Sequence, residues 1–532
     1  MSLPPLITAM LRPDFYAHRP AEVTLVQSHI SYVLLAGERV YKVKKPVRFT
    51  FLDFSTLERR RHFCHEEVRL NRRLAPDVYL GVLAVRADDG IYRLTHDGDA
   101  AAVEYVIEMR RLPAARMLDQ LLERNAVTPA MIDGIADRLA DFHRHADAGP
   151  AVTANGDAAN VAAVLEDNYA NARQFRDVTI SARDDDAIQR FSRRFLQTHA
   201  DLFRQRQVQQ RIRDCHGDLH SEHICCSDPL VIFDCIEFNA QFRYCDVASE
   251  MAFLAMDLDY HERSDMAVQL INRYAASAHD PDLPPLVPFY ACYRAYVRGK
   301  VDSLKVLEPE VTAREREAAR ESARRHFALA YRYTWAYSPA LVVIAGLSGT
   351  GKSAVAAALH ARIGFVHINS DVVRKRLAGV PVDAPARPSA YDAGIYAPEL
   401  SVRTYQTMLD EAASALAAGR GTILDATFQL RTGRAAARAL AQRHGVPFLL
   451  VECRCEEAEV RRRLQRRVEK GRGASDADWN VYVEQRRRFE AVAADEEADH
   501  LVLDTEAPAN ELAPRIETEL VKRISGTVIS DQ

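Results

Sequence analysis

The stretch from His216 to His223, HGDLHSEH, sets Asp218 two residues after one histidine and five before another. In the pattern H-x-D-x-x-x-x-N an aspartate so placed takes the proton of an acceptor hydroxyl, and the closing residue holds a metal ion. Here the closing residue is His223, where the pattern carries asparagine. Asp234 ends the apolar run LVIFD sixteen residues after Asp218, the place for a second, carboxylate metal ligand. Upstream, RVYKVKK offers Lys42 or Lys44 on one strand face, and the helical text after it offers Glu67 or Glu66. A lysine for phosphates, a glutamate to orient it, an acceptor base and a metal carboxylate make a set able to hold ATP.

A second set follows about 130 residues on. Gly346, Ser348, Gly349, Thr350, Gly351, Lys352 and Ser353 spell a G-x4-GKS loop between an apolar strand and a helix. Backbone N–H groups there can approach phosphate oxygens, Lys352 can reach the β and γ phosphates, and Ser353 can hold Mg2+. Asp425, at the end of GTILD, suits a further Mg2+ carboxylate. Asp371 and Arg374, just past another strand, suit an acceptor base and an arginine that steers the acceptor. A helix-capping role would account for either aspartate as well. Arg463 and Arg467 lie four apart on a basic helix, so both can close over phosphates as a lid. Arg431 and Arg434 suit substrate contact or a solvated helix start equally.

These residues need two scaffolds. Residues 29–45 predict an antiparallel hairpin, 55–76 a helix capped by Ser55, and LGVLAV and VEYVIEM further strands. From about 114 to 335 the text is mainly helical, so a small antiparallel sheet lobe precedes a helical lobe, an α+β fold over 1–335. After Pro339, apolar strands alternate with helices, which predicts an α/β domain with a parallel sheet over 340–525. The length, 532 residues, is ample for two cores.

Basic and acidic residues nearly balance, 70 against 74, so no global charge favours nucleic acid or a membrane surface. Nine cysteines without a regular framework predict reduced thiols, and no long uncharged apolar run or signal-like start occurs, so a cytoplasmic protein is expected.

Residues 340 to about 500 resemble the P-loop kinases that include zeta-toxin-like and polynucleotide-kinase-like proteins. Residues 20 to 330 resemble aminoglycoside-phosphotransferase-like kinases, with FDCIEF and the downstream Asp246 matching that family's metal-aspartate segment. The whole chain resembles the bacterial fusion of such a protein-kinase-like domain with an AAA family ATPase P-loop domain. The resemblance implies ATP and Mg2+, phosphoryl transfer to hydroxyl acceptors of small molecules, Asp371 as base, and Arg463 and Arg467 as lid. It also implies adenine contacts near Glu108 and Met109. Two departures stand out: no glycine-rich loop precedes Lys42, and His223 favours Mn2+ or a single metal, imidazole being a softer ligand than Mg2+ prefers. An inert first domain regulating an ATPase, or a nucleic-acid end kinase, would use the same motifs. Acceptor identity and oligomeric state stay open at this level.

Overall fold

The computed structural model describes residues 3–49, 51–308, 311–381, 394–470 and 478–529. The chain forms two compact units, Met1–Ala330 and Tyr331–Gln532.

The first unit opens with an antiparallel sheet of β1 (Val23–Gln27), β2 (Ser31–Ala36), β3 (Arg39–Lys44), β4 (Tyr79–Asp88), β5 (Ile91–His96) and β6 (Ala102–Arg110), in the order β1-β2-β3-β6-β4-β5. The expected hairpin is β2–β3, with Ala36 opposite Arg39 and Val33 opposite Lys42. Its two-residue turn needs left-handed backbone at Gly37, φ +64°. Strand pleating sends Val40, Lys42 and Lys44 to one face and Tyr41 and Val43 to the other. Tyr41 and Val43 join Ile7, Met10 and Tyr16 in one core, while Val40 joins Cys64 and Val68 of α1 (Leu57–Asn71) in another. That second core fixes α1 against the lysine face of β3. Its cap is Thr56, whose side chain accepts from Arg59 N–H at 3.3 Å. The expected cap Ser55 instead donates to Asp53 at 2.6 Å.

Helices follow, among them α2 (Pro129–His145), α3 (Val247–Tyr260), α4 (Ser264–Ser277) and α5 (Val287–Val306). The apolar α3 is buried nearly all round because α4 and α5 both pack on it. Short antiparallel strands β7 (Ile212–Asp214) and β8 (Tyr244–Asp246) bracket the His216–His223 loop. Asp246 then caps α3, accepting from Ala248 N–H, and takes both Nε and Nη2 of the buried Arg206.

The second unit is a parallel sheet of β9 (Leu341–Ala345), β10 (Val366–Asn369), β11 (Thr422–Asp425), β12 (Phe448–Arg454) and β13 (His500–Asp504), ordered β10-β11-β9-β12-β13. Its apolar strands are covered by helices, including α6 (Lys352–Ile363) and α7 (Ser370–Leu377), as buried parallel strands require, and the basic helix α8 (Glu457–Lys470) follows β12. The expected fold classes, α+β followed by α/β, are those observed. No helix among the described residues is long and apolar enough to cross a membrane.

Candidate active sites

In the first unit, β3 and α1 bring both candidate lysines to one glutamate. Lys42 Nζ donates to Glu67 Oε1 at 2.8 Å and to Asp234 Oδ1 at 2.7 Å. Lys44 Nζ donates to Glu67 Oε2 at 2.6 Å and to Glu237. Glu66 points elsewhere and pairs with Arg69 at 2.7 Å. Burial works against the ammonium of Lys42, but the carboxylates of Asp234 and Glu67 outweigh it and hold the group protonated. Burial likewise disfavours the Asp234 carboxylate, and Lys42 and His223 more than reverse that.

Asp234 adopts left-handed backbone, φ +62°, which costs a non-glycine residue about 1–3 kcal/mol. Two bonds from the sheet lobe hold it: Asp234 N–H donates to Tyr79 Oη at 3.2 Å, and Cys235 N–H to Asn71 Oδ1 at 2.8 Å.

The Asp218 loop is fixed from beneath by Glu250 of α3, which accepts from His216 N–H at 2.6 Å and Gly217 N–H at 2.7 Å. His143 of α2 backs Glu250 at 3.2 Å and Tyr274 of α4 at 2.7 Å. Gly217 has φ +89°, and a Cβ there would stand 3.0 Å from the Phe242 carbonyl. Burial lowers His216 to about 4, so its imidazole is neutral, with Nε2 donating to the Phe233 carbonyl at 2.8 Å. Asp218 is pulled below the usual carboxylate range: burial raises it, but His220 and His223 beside it dominate.

His223 Nδ1 is 2.8 Å from the Asp218 carbonyl oxygen, which can only accept, so Nδ1 carries the hydrogen. The Nε2 lone pair then faces Asp234 Oδ2 at 3.5 Å. Two ligand atoms turned toward each other suit a shared divalent cation, and an imidazole in the pair suits Mn2+ better than Mg2+. Donor atoms of Asp218, His220 and His223 also lie within 4.8 Å of one another. Met109 lies buried in β6, opposite Val40 and Tyr79.

In the second unit the loop from Gly346 to Ser353 joins β9 to α6. Gly346, Gly349 and Gly351 have φ of +151°, +83° and +88°. A Cβ at Gly346 would stand 2.7 Å from Thr350 Oγ1 and 2.9 Å from the Cys453 carbonyl, so side chains are excluded from this cradle. Ser348 N–H donates to Gln485 at 2.9 Å, and Thr350 Oγ1 to the Leu347 carbonyl at 2.9 Å. Ser353 Oγ, one residue after Lys352, donates to Asp425 Oδ1 at 3.2 Å. Asn369 and His367 of β10 take Asp425 Oδ2 at 2.5 Å and 3.2 Å. Burial raises Asp425, but His367 and the charge of Lys352 bring it below the usual range, leaving a carboxylate beside a hydroxyl. That hard oxygen pair fits Mg2+.

Asp371 opens α7, and the capping role falls to Asn369, which accepts from Asp371 and Val372 N–H groups at 2.9 Å and 3.2 Å. The Asp371 carboxylate is thereby left to pair with Arg374 at 2.8 Å. Arg463 donates to Glu459 and to the Thr505 carbonyl, both at 2.8 Å, and its Nη1 would be 3.0 Å from a Cβ on Gly351. It abuts the phosphate loop. Arg467, one turn on, makes no hydrogen bond or ion pair among the described residues. The rest of that basic segment, 471–477, lies outside the described residues. Arg434 is buried on Glu496 at 2.9 Å and Arg431 pairs with Asp495 at 2.6 Å, so both are engaged in structural ion pairs.

Residues 35–286 match the model of the phosphotransferase enzyme family, and residues 341–492 that of an AAA domain. The uncharacterized protein Rv2004c of Mycobacterium tuberculosis (strain ATCC 25618 / H37Rv) is 32% identical over 458 residues, 86% of this chain and 88% of the relative. The chain belongs to this two-domain family. The uncharacterized protein Mb2027c of Mycobacterium bovis matches to the same extent. Among solved structures, a choline/ethanolamine kinase family protein from Mesorhizobium loti is 13% identical over 62% of this chain and 99% of its own, TM-score 0.35. A gluconokinase from Sinorhizobium meliloti 1021 is 17% identical over 37% of this chain and 99% of its own, TM-score 0.27. The phosphotransferase-family domain thus carries the Lys42–Glu67–Asp218–Asp234 set, and the AAA-type domain the P-loop.

Local spacing missed His220, Glu237, Glu250 and Asn369. Only Asn369 had a local signal, an Asx residue one position before a helix. Glu237 and Glu250 meet their partners across 193 and 34 residues, where no short motif reaches.

Proposed function

We propose that the protein is an ATP-dependent phosphotransferase with two sites, each moving the γ-phosphoryl of ATP to a hydroxyl acceptor, with small molecules as the expected acceptors. The observation that carries the first site is Lys42, held at once by Glu67 and Asp234 beside the Asp218 loop. Lys42 would neutralise phosphate oxygens, Met109 and its neighbours would meet adenine, and the ionised Asp218 would take the acceptor proton. Asp234 and His223 would hold a divalent ion, which supplies charge stabilisation on the phosphates when bound. In a loose phosphoryl transition state the protein contributes positioning and charge, and a pre-assembled lysine–glutamate pair provides both.

In the second site Lys352 and the loop N–H groups would bind phosphates, Ser353 and Asp425 the Mg2+, and Asp371 the acceptor hydroxyl, with Arg463 and Arg467 closing over the transferring group. The basic helix speaks for a lid rather than a nucleic-acid surface, because Arg462 and Arg463 share Glu459 and Arg461 stacks on Trp479. The first site would belong to residues 1–335 and the second to 340–525, in a cytoplasmic protein.

The test is ADP formation and phosphate transfer from labelled ATP with each site disabled in turn, by Asp218→Ala and by Lys352→Ala. Loss of all turnover in either single variant counts against two independent sites.

A further inference from the structure

Helix α5 carries three charged residues at intervals of four, Arg294, Arg298 and Asp302, so all share one face. The first and last are fixed. Arg294 is buried, donates from Nη1 to the Gly217 carbonyl at 3.2 Å, and lies over the Phe253 ring at 4.8 Å. Asp302 accepts from Ser322 Oγ at 2.7 Å and stands 3.0 Å from His326 Nδ1. Arg298 sits between them, about 6 Å along the helix from a residue already touching the peptide that precedes Asp218. It is half-buried and makes no hydrogen bond or ion pair among the described residues.

Three of the four carboxylates around it are otherwise engaged, and the fourth, the exposed Glu222, has His220 at 4.0 Å. Asp257 accepts from Ser221 N–H at 2.7 Å, Asp302 is paired as above, and Asp218 has His220 at 3.6 Å and His223 at 3.7 Å. Burial works against the Arg298 charge, and the carboxylates of Asp218, Asp302, Glu222 and Asp257 more than offset it. A half-buried guanidinium carries five donors that fit a planar or tetrahedral oxyanion, and at Arg298 they meet no partner among the described residues. Its place one turn from the arginine that holds the Gly217 carbonyl, on a helix fixed one turn either way, is where a substituent of the acceptor would lie when the acceptor hydroxyl meets the base.

We propose that Arg298 binds the acceptor of the first site and selects hydroxyl compounds that carry a carboxylate or phosphate group, an inference that rests on Asp218 being the acceptor base of that site. The acceptor class is then a hydroxy acid or a phosphorylated polyol rather than a neutral sugar or a cationic amino alcohol. Arg294 acts through Gly217 and is a positioning residue for the loop.

The experiment uses the full chain with Lys352→Ala, so that turnover reports the first site, in the presence of Mn2+. D-gluconate and glycerol 3-phosphate are the anionic probes, glucose and glycerol their neutral counterparts, and choline the cationic one. Binding is measured by calorimetry with a non-hydrolysable ATP analogue, and turnover as ADP formation. The expected result is saturable binding of at least one anionic probe and of none of the others. Arg298→Gln should weaken that binding, and raise the KM of that probe, about ten- to a hundredfold with a smaller change in kcat, the loss expected of a charge-assisted hydrogen bond. Arg298→Lys, which keeps charge but not the fork, should fall between and also serves if the glutamine variant does not fold.

Equal binding of neutral and anionic probes, no saturable anion binding, or unchanged binding in Arg298→Gln overturns the proposal. A fall in kcat for every acceptor at unchanged KM also overturns it, since that places the guanidinium on the transferring phosphoryl group. Anion binding lost in Arg298→Gln while Asp218→Asn leaves turnover intact would uphold the subsite and remove Asp218 as base.

Discussion

Lys42 Nζ donates to Asp234 Oδ1 at 2.7 Å across 192 residues of sequence, and the same ammonium donates to Glu67. The phosphotransferase-family domain therefore holds Lys42, Glu67 and Asp234 already assembled. Removing either end of the lysine–glutamate pair should cost rate, and removing the Glu67 carboxylate, which also holds the buried Lys44, should cost stability as well. Measured as ADP formation in the Lys352→Ala background, Lys42→Met and Glu67→Gln should each lower kcat by roughly a hundredfold or more, the usual loss when a charge aimed at the reacting group is removed. Unchanged kcat in Lys42→Met would mean that Lys44 carries the phosphates.

Lys44 is predicted to act on stability instead. It is fully buried between Glu67 and Glu237, and its truncation leaves the buried Glu237 without its lysine. Breaking a buried pair from one side costs about 3–5 kcal/mol. Urea unfolding of Lys44→Met should show the first unit's transition at markedly lower urea, with the second unit's transition in place. Co-substitution Glu237→Gln should recover part of the loss.

Acid should loosen the first unit beginning well above the carboxylate range. Burial lowers His216 from 6.5 to about 4, so the unfolded chain binds that proton first, and this contribution is present above pH 6.5 and lost as pH falls toward 4. Burial raises Glu250, but hydrogen bonding and charge from His143 bring it from 4.5 to about 2, so its contribution is lost between about pH 4.5 and 2. The two effects share a sign. Burial lowers His220 but Asp218 raises it more, so it works the other way. The urea midpoint of the first unit should fall from pH 7 to 4 more steeply once His220→Gln removes that opposing group, and a flat midpoint in that variant would contradict the neutral His216.

The metal preference of the first site should follow residue 223. With His223 Nε2 facing Asp234 Oδ2, turnover in the Lys352→Ala background should be higher with Mn2+ than with Mg2+. His223→Asn, which supplies an oxygen, should shift the ratio toward Mg2+. An unchanged ratio would place the ion away from residue 223.

In the second site, Gly351→Ala puts a methyl 3.0 Å from Arg463 Nη1 on backbone with φ +88°. It should weaken ATP binding, and Asp425→Asn should weaken the Mg2+ dependence of that binding by roughly ten- to a hundredfold. Equilibrium binding of a fluorescent ATP analogue, with and without Mg2+, separates the two effects.

What could be read from the sequence was what is local. The G-x4-GKS loop, Asp218, Asp234 and the β2–β3 hairpin each lie in one short window whose spacing is set by backbone geometry. The choice between Lys42 and Lys44 could not be made there because the pleat puts both on one face; the structure uses both, one per oxygen of Glu67. The cap of α1 missed by a single residue, Thr56 for Ser55, since either hydroxyl can cap and only the chain's entry angle decides. Strand β5 went unread because its alternation is short, only Tyr92 and Leu94 packing on the core on either side of Arg93. Arg298 was invisible for a different reason: a charged residue on a helix ordinarily faces solvent, and only packing shows that this one is beside the Asp218 loop.

The most direct test of two working sites is phosphate release from ATP, with Mg2+ and then Mn2+, by the wild type, Lys352→Ala, Asp218→Ala and the double variant. The account predicts residual turnover in Lys352→Ala, greater with Mn2+, that disappears when Asp218→Ala is added. Abolition of all turnover by Lys352→Ala alone under both metals would contradict it and leave the His216–His223 loop without chemistry of its own.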